Sequence, residues 1–116
     1  MHEMLLAEHG GSTGLRDAGL LESALNRPRQ RFAYDDKASI YELAALYGHG
    51  LAGNHPFVDG NKRIALTTAA VFLEINGHRL QAPEPEAVVA IEELAAGRMN
   101  ETAFATWLEE HSRPLR

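Results

Sequence analysis

The chain predicts an all-α fold, and three observations carry that reading. Apolar residues recur at helical spacing in one segment after another. Each segment is bracketed by residues that cap or stop helices, and no run shows the strict alternation of a half-buried strand. The longest apolar segment, residues 64–73, is interrupted only by Thr67 and Thr68. A helix that is apolar nearly all round belongs at the centre of a bundle. The expected architecture is therefore a compact bundle of about six helices around that central one, in a single domain spanning residues 1–116.

The first helix is expected near residues 2–9, with Leu5 and Leu6 on one face, ending at the glycine-rich turn GGSTG of residues 10–14. Asp17 is a suitable N-cap for a second helix carrying Leu20, Leu21, Ala24 and Leu25. Pro28 restricts the residue before it and removes a backbone donor, so this helix should stop there, leaving residues 27–37 as a charged connection. Ser39 or a neighbour caps the third, in which Ile40, Leu43, Ala44, Tyr47 and Leu51 keep helical register. The fourth runs over residues 61–76, with Gly77 as its stop. Pro83 and Pro85 introduce the fifth, through Val88, Ile91, Leu94 and Ala95 to Gly97. Asn100 caps the sixth, which places Phe104, Trp107, Leu108 and His111 on one stripe. The tail SRPLR is expected to be disordered.

Bulk properties narrow the possibilities. A chain of 116 residues buries enough surface for a core without covalent staples. It has no cysteine, which excludes disulfides and thiolate metal sites. The formal net charge of −5 argues against non-specific nucleic-acid binding, and with it against a DNA-binding helical protein. Residues 1–8 lack the basic start and long apolar run of a signal peptide, and the apolar stretch at 64–73 is too short to span a bilayer. A cytoplasmic location is the expectation.

The function-bearing stretch is residues 55–63, HPFVDGNKR, at the entry to the fourth helix. A helix N-terminus carries partial positive charge, and a cation in its first turn costs about 0.3–1 kcal/mol. Lys62 and Arg63 break that rule side by side, and a bound anion would repair it by using the helix amides and both cations together. Singly, each residue has a structural reading. His55 before Pro56 suits an exposed turn, Asp59-Gly60 is a turn dipeptide, Asn61 suits an N-cap and Lys62 a solvated charge. Phe57 is an anchor that plugs the loop into the core.

Jointly, the residues supply a phosphoryl-group site. His55 is a general base titrating near neutrality. Asp59 is a hard oxygen ligand for Mg²⁺, which commonly binds one carboxylate plus substrate phosphates. Gly60 allows close backbone approach. The Asn61 amide suits the histidine, the metal or a phosphate oxygen, and Arg63 suits bidentate phosphate contact. Arg16, ahead of the Asp17 cap, is an extra cation for the phosphates in one reading. In the reading favoured here, it pairs on the surface with Asp17 or Glu22. His49 is assigned to packing or the site rim, and Glu84, Glu86, Glu92 and Glu93 to solvated faces and the helix dipole.

This nine-residue stretch resembles the signature of the Fic/Doc family, H-P-F-x-[DE]-G-N-[GK]-R. The upstream segment HGGSTGLRDAGLLESALNRPRQRFAY, residues 9–34, is similar to the Doc (death-on-curing) branch in particular, and the NGHRL turn at 76–80 fits as well. The resemblance implies that His55 is the base for a protein hydroxyl and Asp59 the Mg²⁺ ligand. It further implies that Gly60, Asn61, Lys62 and Arg63 bind nucleotide phosphates. Most Fic enzymes carry glycine where Lys62 stands and transfer AMP, whereas lysine marks the Doc branch, which transfers the terminal phosphate of ATP. Doc-type proteins are toxins of type II toxin–antitoxin pairs, with a threonine of elongation factor Tu as target and arrest of protein synthesis as outcome. The resemblance also implies a Phd-like antitoxin whose C-terminal segment folds into a groove of the toxin. The inhibitory signature [ST]-x-x-x-E-[GN] of many Fic proteins has no match in this chain, in keeping with restraint in trans. Doc-like chains usually have more residues before the histidine corresponding to His2, which puts the start of this chain inside the first expected helix. The alternatives to a kinase-type transferase are AMP transfer on the same scaffold and a catalytically inactive antitoxin-binding module.

Overall fold

A computed structural model describes residues 15–54 and 60–115. Among them stand five helices: α1 (Ala18–Tyr34), α2 (Ile40–Asn54), α3 (Asn61–Ile75), α4 (Glu84–Ala95) and α5 (Glu101–Glu110). Two short strands, β1 (His78–Leu80) and β2 (Ser112–Pro114), pair antiparallel with Arg79 opposite Arg113. The fold is thus predominantly helical, with five helices rather than six among the described residues. The expected helix at residues 2–9 lies outside them.

Local chemistry sets the helix ends. The Asp17 carboxylate accepts a hydrogen bond from Leu20 N–H at 3.0 Å, capping α1. Ser39 and Glu42 form a reciprocal box ahead of α2: Glu42 N–H donates to Ser39 Oγ at 3.1 Å, and Ser39 N–H donates to Glu42 Oε1 at 2.9 Å. Gly77, at φ 86°, follows α3 in the left-handed region that favours glycine. Asn100 caps α5 through Ala103 N–H at 2.7 Å.

Three expectations are corrected. Helix α1 does not stop before Pro28; it runs on to Tyr34 with Pro28 buried inside it. A proline within a helix costs about 3 kcal/mol. Pro28 is buried, and the Arg31–Glu42 ion pair at 2.9 Å ties the last turn to α2; both favour the continued helix against this cost. Residues 112–115 of the tail are ordered rather than disordered: residues 112–114 form β2, and Leu115 N–H donates to Gly77 O at 2.7 Å. The strands were missed because three residues are too few to show alternation. Their ribbon is fastened to α2 by Tyr41, whose hydroxyl lies 2.8 Å from His78 Nδ1. Burial, and secondarily the Glu109 carboxylate, raise the Tyr41 pKa.

The third correction concerns the centre. Helix α2, not α3, is the axis of the bundle: it packs on α1, α3, α4 and α5. Leu43, Ala44, Ala45, Leu46, Gly48, Gly50, Leu51 and Ala52 of α2 are all buried. On α3 the buried face is Ile64, Ala65, Thr68, Ala69 and Leu73, while Lys62, Arg63, Thr67 and Glu74 face solvent. Small residues explain why α2 wins the centre, since they let neighbours approach on every side. A Cβ on Gly48 would stand 2.8 Å from Cε2 of the fully buried Phe104, and one on Gly50 would stand 3.0 Å from Ala24 Cβ.

Because the Phe104 ring has no solvent side to swing into, Gly48→Val should destabilise the protein by about 1–3 kcal/mol through overpacking. Urea denaturation would show this as a lower midpoint at unchanged slope.

Candidate active site

Residues 55–63 make up the connection between α2 and α3 and the first three residues of α3. His55, Phe57 and Asp59 lie outside the described residues, whereas Asn54, which precedes the motif, and residues 60–63 lie inside them. The incoming end is pinned. Asn54, the last residue of α2, donates from Nδ2 to the carbonyl of Leu20 at 3.0 Å, part-buried against the first turn of α1. Arg16 donates from Nη2 to the carbonyl of Asn54 at 3.4 Å. This contact sets Arg16 against the chain as it enters the motif. The Asp17 side chain caps α1.

The outgoing end is built differently from the expectation. Gly60, not Asn61, is the N-cap of α3; it sits at φ 76° and ψ 15° and accepts from Ile64 N–H at 2.9 Å. Glycine adopts this left-handed conformation without the penalty a Cβ brings. Asn61 is the first helical residue. No acidic residue stands in the first turn of α3, so the helix begins with Asn61, Lys62 and Arg63 and no side-chain cap. Its next residues, Ile64 and Ala65, are buried at 2% and 0% exposure and fix this end to the core. The two cations therefore project to solvent from a rigid base.

The structure brings Lys62 to Glu92 of α4, with Nζ 3.8 Å from Oε2. Thirty positions separate the two in sequence, and no local spacing announces the contact. Glu92 is thus not merely part of a solvated face. Glu93 pairs with Arg98 at 2.6 Å, and Glu86 lies 3.6 Å from His111. Glu84 and Glu86 occupy the first turn of α4, where the helix dipole favours them.

His49 joins a half-exposed cluster in which its Nδ1 lies 3.3 Å from Arg27 Nη1 and 3.8 Å from Glu101 Oε2. Arg27 and Glu101 themselves pair at 3.3 Å. Phe104 is core, at 0% exposure, and Trp107 stacks on it with ring centroids 5.9 Å apart. Among the described residues no three His, Cys, Asp or Glu side chains gather to hold a metal. No helix of the described residues is long and apolar enough to cross a membrane.

A sequence model of the Fic/DOC family matches residues 1–73, which takes in the α2–α3 connection entirely and ends within α3. The chain belongs to the Fic/DOC family. Protein kinase doc of Escherichia phage P1 is 36% identical over 77 residues, covering 66% of this chain and 61% of that protein. Toxin Doc of Mycolicibacterium smegmatis is 43% identical over 74 residues, covering 63% and 57% respectively. Both relatives are Doc proteins, so the similarity within the family is to its Doc branch. The aligned part spans about three-fifths of the length of these relatives. For a Fic/DOC chain, the consequence is that β1, α4, α5 and β2 lie beyond the segment the family pattern describes. The partner of Lys62 is drawn from that part.

Replacing Gly60 by alanine should cost about 1–2 kcal/mol, the penalty for a side chain in the left-handed region. Chemical denaturation would read it directly.

Proposed function

We propose that this chain is a Doc-like toxin that transfers the γ-phosphate of ATP to a hydroxyl of a protein target, elongation factor Tu, and thereby stops translation. The observation that carries the reading is the N-terminus of α3. There, two solvent-facing cations stand where a helix favours carboxylates, separated by Asn61 alone from a glycine in the left-handed conformation. An anion would use these cations and the helix dipole together. Family membership supports a transferase, and the name of the phage P1 relative, protein kinase doc, supports phosphoryl rather than AMP transfer.

In this reading the His55 imidazole accepts the proton of the target hydroxyl, whose oxygen forms a bond to the γ-phosphorus. The bond from that phosphorus to the β–γ bridging oxygen breaks, and ADP leaves. Lys62 and Arg63 neutralise charge on the transferred group, which is most of what phosphoryl transfer requires of a protein. Gly60 and Asn61 complete the phosphate contacts, and Phe57 anchors the loop. Mg²⁺, when bound, spreads and neutralises charge across the phosphate oxygens. Asp59 would hold it beside those oxygens, since one or two carboxylates with substrate phosphates commonly suffice for Mg²⁺. Lys62 is also the residue that sets the transfer chemistry: its side chain fills space that glycine leaves open for an α-phosphate. A Phd-like antitoxin, folding its C-terminal segment into a groove, supplies restraint, and action on a translation factor places the protein in the cytoplasm.

Incubation with ATP, Mg²⁺ and purified elongation factor Tu should add the mass of one phosphate to the factor, as read by intact-mass spectrometry. His55→Ala should lower the rate about 10²–10⁴-fold, the usual contribution of a general base. An AMP-sized increment would reassign the enzyme to nucleotide transfer. A folded protein that adds neither mass, and a His55→Ala variant that remains fully toxic to cells, would favour the inactive binding module. Lys62→Gly should change the transferred group or abolish transfer; unaltered phosphorylation by that variant would refute the role given to Lys62.

A further inference from the structure

Glu92 and Lys62 are each badly placed for their own helix. Lys62 sits in the first turn of α3, where the dipole disfavours a cation. Glu92 sits in the last turn of α4, where it disfavours an anion and no basic residue of that turn compensates. Facing each other at 3.8 Å, the two relieve both mismatches. The neighbouring Glu93 is taken up by Arg98, whose Nε donates to it at 2.6 Å. Both partners of the Lys62–Glu92 pair remain about half exposed, at 52% and 54%, so either can exchange its partner without unfolding anything.

We propose that Glu92 is a positioning residue that holds Lys62 in the nucleotide-free protein and competes with phosphate for it, so that α4 sets the affinity for ATP. The proposal rests on the reading of Lys62 as a phosphate ligand. A carboxylate and a phosphate oxygen cannot both take the ammonium at full strength, and the two anions repel each other across it. Nucleotide therefore binds against a built-in competitor, contributed from outside the segment that the family pattern covers.

Isothermal titration of ATP into the full chain tests this with five proteins: wild type, Glu92→Gln, Glu93→Gln, Lys62→Met, and Glu92→Gln combined with Lys62→Met. Glu92→Gln should tighten ATP about two- to fivefold, the range of an exposed ion pair. Glu93→Gln should leave affinity unchanged. In the Lys62→Met background the effect of Glu92→Gln should vanish, which separates competition for the lysine from a general loss of negative charge. Unchanged or weaker binding by Glu92→Gln, or equal tightening in both backgrounds, would overturn the proposal. Wild-type protein that binds no ATP would overturn the phosphate-site reading and this proposal with it; wild-type binding beside an unmoved Glu92→Gln would overturn the role of Glu92 alone.

Discussion

Everything in this fold depends on how closely other helices approach α2. Glycine and alanine along α2 admit Phe104 from α5 and Ala24 from α1 to distances that one further methyl group would forbid. That closeness gathers α1, α3, α4 and α5 around a single axis and excludes water from Leu51, Ile64, Leu73 and Leu108 together. Full burial of such side chains stabilises by about 1.5–3 kcal/mol each. It also fixes both ends of the connection that carries the family motif. Asn54 is held to α1 through Leu20, and Ile64 is sunk into the core four residues after Gly60.

The site gains its chemistry from a position that helix electrostatics disfavours. An α3 optimised for stability would open on a capping side chain and a carboxylate; this one opens on a left-handed glycine, an asparagine and two cations. The cost is of the order of 1 kcal/mol per misplaced charge, small against the burial behind it. Rigidity and local electrostatic mismatch thus coexist because they lie on opposite faces of the same helix. Glu92 shows the same economy from the other side. A carboxylate at the wrong end of α4 and a lysine at the wrong end of α3 make a weak, exposed pair that relaxes both helices and stays open to solvent on both sides.

Much of this was legible in the chain because it is local. Asp17, Ser39, Gly77 and Asn100 announce helix boundaries through side chains that reach only three residues or through one backbone angle, and the structure uses each as expected. The motif was legible for the same reason, since its residues are contiguous. What was hidden depends on contacts distant in sequence. Pro28 reads as a helix breaker until its burial and the Arg31–Glu42 pair are known. Residues 112–114 read as a loose tail until β1, more than thirty positions away, pairs with them. The central helix differs from the expected one because the longest apolar run lies in α3, whereas centrality follows from the small residues of α2. Glu92 was invisible as a partner of Lys62 because nothing in either segment encodes how α4 lies against α3.

The central claim is that the N-terminus of α3 is a phosphate site. Titration of ATP into ¹⁵N-labelled protein, followed through the backbone amides, tests it most directly. Saturable, salt-sensitive shifts concentrated at Gly60, Asn61, Lys62 and Arg63 are the predicted result. Saturable shifts elsewhere, with these four amides unmoved, would contradict it.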